Sequence, residues 1–74
     1  MNLVDTIASF VRYKRKSIGI TQDRLAKMTN MSRATINYIE NSKHIVTVDT
    51  LDIVLRKLGS NLSELVEYKD KYEQ

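Results

Sequence analysis

Residues 21–43 read TQDRLAKMTNMSRATINYIENSK, and this stretch predicts two short helices joined by a tight turn. Thr21 and Ser32 are good N-cap residues, because a hydroxyl oxygen can accept a hydrogen bond from a free amide in the first turn of a helix. We therefore expect one helix after Thr21, ending near Met28, and a second after Ser32. Only residues 29–32 separate them, and two amphipathic helices at this spacing are typical of a helix-turn-helix.

The apolar residues of this stretch repeat at helical spacing, which gives each helix an inner face. The inward positions are Leu25, Ala26, Met28, Ile36 and Ile39. Asn30 stands where the chain must reverse sharply. Asparagine tolerates the left-handed backbone conformation that such a reversal requires, so Asn30 fits the turn.

The outer face of the second helix, residues 33–41, carries a cation, two amides, a methyl group and a phenol: Arg33, Asn37, Asn41, Ala34 and Tyr38. Arginine can bond guanine O6 and N7 together, and asparagine can do the same to adenine N6 and N7. The small Ala34 would let the helix approach closely, and the first turn of a recognition helix reaches deepest. The face is suited to reading DNA bases, although an ordinary solvated face would have similar residues.

Three further helices flank this pair. One precedes it over residues 3–17 and ends near Gly19, which suits a left-handed C-terminal cap. Two follow it, from Thr47 to Gly59 and over residues 62–72. Apolar residues repeat at helical spacing in the preceding helix and in the first of the two that follow. They are Leu3, Ile7, Phe10, Val11, Val48, Leu51, Val54, Leu55 and Leu58.

Together the five helices predict an all-α, compact fold in one domain, residues 1–74, with its core in residues 3–67. The C-terminal helix opens with Asn61 and Glu64, the spacing of a capping box in which Glu64 reaches back to the cap residue. The chain has two glycines and no proline, which agrees with helices joined by short turns.

Composition excludes several classes of function. The chain has no cysteine and one histidine, His44, so we expect neither a metal site nor a cofactor. Its longest apolar run is three residues, 53–55, whereas a membrane span needs about 20. We therefore expect a cytoplasmic protein that has no membrane partner. Asp49 and Asp52 could mimic a catalytic pair, but carboxylates in a first helical turn suit the helix dipole, so no catalytic residue and no enzyme are expected.

Charge divides the chain into two parts. Residues 1–44 carry eight Lys and Arg against three Asp and Glu, a balance of +5, whereas residues 45–74 carry four against six, a balance of −2. A basic part is suited to a polyanion, and an acidic part to solvent or a protein partner.

Residues 21–43 resemble the helix-turn-helix of the Cro and lambda-repressor (XRE) family. The matching positions are Thr21-Gln22, Leu25-Ala26, Ile36, Ile39 and Glu40-Asn41, and the resemblance extends over residues 7–67. It implies a lambda-repressor-like fold and a sequence-specific, DNA-binding transcription regulator. It also implies that the recognition helix, residues 33–41, enters the major groove of double-stranded DNA.

The resemblance also implies roles for individual residues. Those expected to contact bases are Arg33, Ala34, Asn37 and Tyr38, and those expected at the DNA backbone are Gln22, Ser32, Thr35, Asn41 and Lys43. Arg15 and Glu40 match a pair that forms a salt bridge between the first and third helices in relatives. Three positions depart from the family pattern: Lys14 stands in place of a leucine, and Asn30 and Ser42 stand in place of glycines.

One small domain covers too little DNA for a unique site, so we expect a homodimer. The C-terminal helix and the apolar residues left over by the core are its candidate surfaces: Ile45, Val46, Ile53, Val66 and Tyr68. Two alternatives belong to related folds. One is an antitoxin, which would bind a toxin protein and regulate its own gene, and the other is the controller protein of a restriction–modification system.

Overall fold

The computed structural model describes residues 2–43 and 46–72. In these residues the chain forms five α-helices and no strand. The helices are α1 (Leu3–Ser17), α2 (Gln22–Thr29), α3 (Arg33–Glu40), α4 (Val48–Lys57) and α5 (Leu62–Tyr72). The predicted all-α, five-helix fold is therefore confirmed. Within the described ranges, no helix has the length and hydrophobicity to cross a membrane.

Each helix begins at a polar side chain. Five side-chain oxygens accept a hydrogen bond from the amide three residues later, those of Asn2, Thr21, Ser32, Thr47 and Asn61. These bonds satisfy amides that have no partner inside the helix. The prediction that the Glu64 side chain reaches back to Asn61 is wrong. Glu64 Oε1 instead accepts a 2.6 Å hydrogen bond from the hydroxyl of Ser60, a buried residue that needs this partner.

Helices α1 to α4 end in the same way. A residue with positive φ follows the last turn of each: Gly19, Asn30, Ser42 and Gly59, with φ of 74°, 58°, 59° and 73°. The amide after it bonds to a carbonyl five residues earlier, as when Met31 N–H donates to Ala26 O at 2.9 Å. The left-handed conformation predicted for Asn30 is confirmed.

Helix α3 ends at Glu40, whereas Asn41 was predicted to be its last residue. Asn41 has φ −110° and ψ 16°, outside the helical region, because the left-handed Ser42 turns the chain away. The amide of Lys43 then bonds the carbonyl of Tyr38 at 3.0 Å. Asn41 remains attached to the helix, since its Nδ2 donates to the Asn37 carbonyl at 2.8 Å.

The core draws residues from all five helices. Its buried members are Phe10, Val11, Leu25, Ala26, Ile36, Ile39, Leu51, Val54, Leu55, Leu58 and Leu65. Ile7 is only partly buried against this core, and three further residues predicted to face inward do not belong to it. Leu3 and Val48 are more than half exposed, because as the first residues of α1 and α4 they lie at the ends of their helices. Met28 is partly exposed.

Helix α5 packs against α1 through an aromatic contact. The Tyr68 ring lies 5.0 Å from the Phe10 ring, and its hydroxyl is 2.6 Å from that of Ser9. Lys14, the first departure from the family pattern, places its ammonium 5.7 Å from the Phe10 ring centre and 3.9 Å from Glu64 Oε1. The charged end of Lys14 therefore reaches α5 by way of the Phe10 ring, at the position where the resemblance implied a leucine.

The expected dimer residues fall into three groups. Ile53 and Val66 are 45% and 57% exposed and remain available for a partner. Val46 and Tyr68 pack partly against the core, so they are poorer candidates than their hydrophobicity indicated. Ile45 lies outside the described residues.

Candidate nucleic-acid interface

Helix α3 is anchored on one side and exposed on the other. Ile36 and Ile39 are buried on its inner side, where it packs against α1 and α2. Its outer side exposes all four residues expected to contact bases: Arg33, Ala34, Asn37 and Tyr38. The structure thus brings these four side chains together on one open face.

A buried ion pair fixes the inner side of α3 to α1. Arg15 Nε lies 2.6 Å from Glu40 Oε2, and Arg15 Nη2 lies 2.9 Å from Glu40 Oε1. Arg15 Nη1 also donates to the Ile20 carbonyl at 2.8 Å, and Glu40 is only 2% exposed. This is the pair that the family resemblance implied. A two-pronged contact of this kind restricts orientation as well as distance, so it sets the direction of α3.

The guanidinium of Arg15 stays charged in this setting. Its hydrogen bonds to Glu40 raise the pKa of Arg15 above the ordinary value, against the opposing effect of burial, and the negative charge of Glu40 adds to the increase. A raised arginine pKa stabilises the folded protein below the unfolded-state pKa, and that contribution is lost only as pH rises through the folded-state pKa. The loss lies far on the alkaline side of neutral pH, so Arg15 gives no pH dependence near neutrality.

Gln22, the first residue of α2, lies between the ion pair and the exposed face. Its Nε2 donates to Glu40 Oε1 at 3.2 Å, and its Oε1 accepts from Asn37 Nδ2 at 3.3 Å. Gln22 is partly buried, whereas Asn37 is exposed. A chain of hydrogen bonds therefore runs from Arg15 through Glu40 and Gln22 to an expected base-contacting residue.

Arg33 meets a residue that sequence reasoning missed. Its Nε lies 3.8 Å from Asp23 Oδ1, and both side chains are about two-thirds exposed. Exposed pairs of this kind contribute about 0–1 kcal/mol, so Arg33 can leave Asp23 for a stronger partner. Asp23 lies ten residues before Arg33, and only the turn between α2 and α3 brings them together. The sequence alone carries no spacing signal for this pair.

The residues expected at the DNA backbone lie at the two ends of α3 and at the start of α2. Ser32 caps α3, and its hydroxyl lies 2.9 Å from that of Thr35. Asn41 and Lys43 are exposed at the other end of the helix. Polar groups lie near the same exposed face at both ends of α3. Either end can therefore bind a phosphate of the DNA backbone. Within residues 2–43 and 46–72, no cluster of His, Asp or Glu has the arrangement of a metal site.

Comparison with known proteins identifies the class. A sequence model of the helix-turn-helix family matches residues 11–65, most of the chain. The chain belongs to this family, and its predicted resemblance to the Cro and lambda-repressor (XRE) type of DNA-binding regulator is confirmed. No curated protein sequence matches the chain significantly.

Solved structures show the same fold. The wild-type restriction–modification controller protein C.Esp1396I superposes with a TM-score of 0.86 at 24% identity, over 96% of this chain and 91% of the controller. The clp gene regulator ClgR from C. glutamicum gives 0.89 at 20% identity, with the same two coverages. A variant of C.Esp1396I bound to its highest-affinity operator site gives 0.83 at 25% identity, over 93% and 91%.

Proposed function

We propose that this protein is a transcription regulator that binds an operator in a sequence-specific manner, as a homodimer, with α3 in the major groove. The observation that carries the proposal is the contrast between the two sides of α3. A buried ion pair fixes the inner side to α1, while the outer side exposes Arg33, Ala34, Asn37 and Tyr38 together. A helix held so firmly can present these side chains to base edges in a constant geometry.

Each outer residue has a role in this proposal. Arg33, in the first turn, bonds a guanine, and Asn37 bonds an adenine. Ala34 meets a thymine methyl group, and Tyr38 contacts a base near the end of the helix. Five further residues grip the sugar-phosphate backbone: Gln22, Ser32, Thr35, Asn41 and Lys43. The proposed site has no catalytic residue. The protein acts on DNA in the cytoplasm.

The size of the chain supports the homodimer. The described fold measures 34 × 23 × 20 Å, and one turn of DNA is about 34 Å long. One protomer therefore covers a single half-site, and a symmetric pair reads two half-sites about one turn apart. The exposed Ile53 and Val66 are the residues we assign to the contact between protomers. A solved structure of C.Esp1396I is a tetramer in complex with its 35-base-pair operator, which shows that this fold supports assembly on DNA.

The second candidate is a controller of restriction–modification genes. The observation that favours it is the similarity to C.Esp1396I along nearly the whole of both chains. The two candidates share the DNA-binding chemistry and differ in the gene that is controlled. Mapping the bound operator to the gene beside it separates them, because a controller binds upstream of restriction genes.

The experiment that tests the proposal is selection of binding sites from a randomised duplex pool at physiological salt. We expect enrichment of a two-fold symmetric motif whose half-sites lie about ten base pairs apart. Retention of bulk DNA without any enriched motif would contradict sequence-specific recognition. Enrichment of a single half-site by a protein that stays monomeric on light scattering would contradict the homodimer.

A further inference from the structure

We infer that Gln22 is a positioning residue that determines base specificity through Asn37, in addition to any phosphate contact of its own. The buried Glu40 fixes the orientation of the Gln22 amide, and Gln22 in turn fixes the orientation of the Asn37 amide. The inference rests on the proposed function, in that Asn37 must face a base.

The first step is set by the chemistry of Glu40. An ionised carboxylate can only accept hydrogen bonds. Both oxygens of Glu40 are bonded by Arg15, and Oε1 also lies 3.2 Å from the Gln22 side chain. Gln22 must therefore turn its amide nitrogen toward Glu40. In the opposite orientation, its carbonyl oxygen would face the negative charge of the carboxylate. The Gln22 oxygen is then directed to the other side, toward Asn37.

The second step carries this orientation to the exposed face. The Gln22 oxygen can only accept, so Asn37 must offer it the amide nitrogen, and the two atoms lie 3.3 Å apart. The Asn37 oxygen takes no part in this bond, and one N–H of Nδ2 remains. Asn37 therefore presents one acceptor and one donor in a fixed order. That order is what an adenine edge requires, since N6 donates and N7 accepts.

The size of the effect follows from what Gln22 removes. Without Gln22, the Asn37 amide could adopt both orientations equally. Half of the protein molecules would then present the donor and the acceptor in the wrong order, which lowers the affinity for the preferred base about twofold. Freedom about the other side-chain bonds adds to this, and immobilising such a side chain at an interface costs up to about tenfold. Both bonds of Gln22 are long, and Asn37 is exposed. We therefore expect Gln22 to increase discrimination between the preferred and the wrong bases about two- to tenfold at one base pair.

The test compares discrimination at each base pair of the selected operator, measured as the ratio of Kd values for wrong and preferred bases. Asn37→Ala first identifies the base pair that Asn37 reads. Gln22→Met removes both hydrogen bonds at similar side-chain length, and we expect it to lower discrimination by two- to tenfold at that base pair alone. Adding Gln22→Met to Asn37→Ala should lower it no further.

Gln22→Lys is the sharper variant. The lysine ammonium can still donate to Glu40, but it offers Asn37 a donor instead of an acceptor. The Asn37 amide should then turn its oxygen inward, which reverses the order of donor and acceptor on the outside. The added charge strengthens attraction to phosphates. We expect tighter binding to DNA in general together with lower discrimination at the Asn37 base pair.

Two controls make the result decisive. Lys43→Ala should weaken binding evenly over all sequences and leave every discrimination ratio unchanged. Thermal unfolding should show that both Gln22 variants remain folded, because Glu40 keeps its bonds to Arg15. In the DNA-free protein, the side-chain amide signals of Asn37 in an ¹⁵N NMR spectrum should shift in both variants.

Two outcomes would overturn the inference. If both Gln22 variants change affinity evenly and leave discrimination at the Asn37 base pair intact, Gln22 is only a backbone contact, while the proposed function stands. If Asn37→Ala alters discrimination at no base pair, then Asn37 reads no base. The proposed orientation of α3 then fails together with the relay.

Discussion

The buried pair between Arg15 and Glu40 should account for a large share of the stability of the fold, and Arg15→Met tests this. Methionine keeps most of the apolar stem of Arg15 and removes the charge. The carboxylate of Glu40 is then left almost fully buried without its guanidinium partner, and among the described residues Gln22 is the one side chain that still donates to this carboxylate. Removing one member of a buried pair destabilises a protein by about 3–5 kcal/mol, because the remaining charge is uncompensated.

This loss is large compared with the total free energy of unfolding. At about 0.05–0.15 kcal/mol per residue, a chain of 74 residues has about 4–11 kcal/mol in all. A loss of 3 kcal/mol would lower the Tm by roughly 12–24 °C in a domain of this size. We therefore expect Arg15→Met to be partly unfolded at 37 °C.

The assay is urea and thermal unfolding followed by circular dichroism, at several protein concentrations so that dimer formation is separated from folding. Arg56→Met is the matched control, because Arg56 forms an exposed pair with Asp52 at 3.0 Å, with side-chain exposures of 71% and 34%. That pair should contribute about 0.3–0.5 kcal/mol. The double variant Arg15→Met/Glu40→Leu should recover much of the lost stability, since an apolar pair can replace a buried ion pair.

The reasoning would be refuted by similar losses in Arg15→Met and Arg56→Met. Such a result would mean that water screens the buried pair as it screens the exposed one. A double variant as unstable as Arg15→Met alone would also refute it, because the penalty could not then come from the orphaned charge of Glu40.

Other predictions concern DNA binding, assembly and the backbone. Arg33→Ala should cost about 1–3 kcal/mol at one base pair and relax the preference there, as measured by binding to operator variants. Lys43→Ala should weaken binding evenly and reduce the slope of log K against log salt by about one, and a sequence-dependent loss would contradict its backbone role. Ile53→Asp and Val66→Asp should each shift the dimer toward monomer in light scattering at high micromolar concentration, and an unchanged mass would exclude these residues from the interface. Ser42→Gly should stabilise the protein by about 0.5–1 kcal/mol in urea unfolding, because glycine adopts the positive φ of this position without strain.

Much of the fold could be predicted because its signals are local. The caps at Thr21, Ser32 and Thr47 depend on residues three apart, and the left-handed turn at Asn30 depends on one residue. The ends of helices were less accessible. Val48 continues the apolar pattern of α4 but lies at the first position of the helix, where periodicity cannot distinguish the core from the end of the bundle.

The parts of the candidate site that sequence could not supply are contacts between distant residues. The bonds of Gln22 to Glu40 and Asn37 join positions 18 and 15 residues apart. The pairing of Asp23 with Arg33 depends on how α2 and α3 lie against each other. The family resemblance predicted the pair of Arg15 and Glu40, but it could not predict bonds that depend on the particular side chain at position 37.

The anchoring of α3 has a consequence for how such a regulator can diverge. The outer residues Arg33, Ala34 and Tyr38 are exposed, so a gene duplicate can exchange them for other side chains at little cost to folding. Position 37 is different, because its side chain is joined through Gln22 to a buried carboxylate. If these four residues contact bases as proposed, a lineage that acquires a new operator would exchange the side chains at positions 33, 34 and 38 independently, and the side chain at position 37 only together with that at position 22.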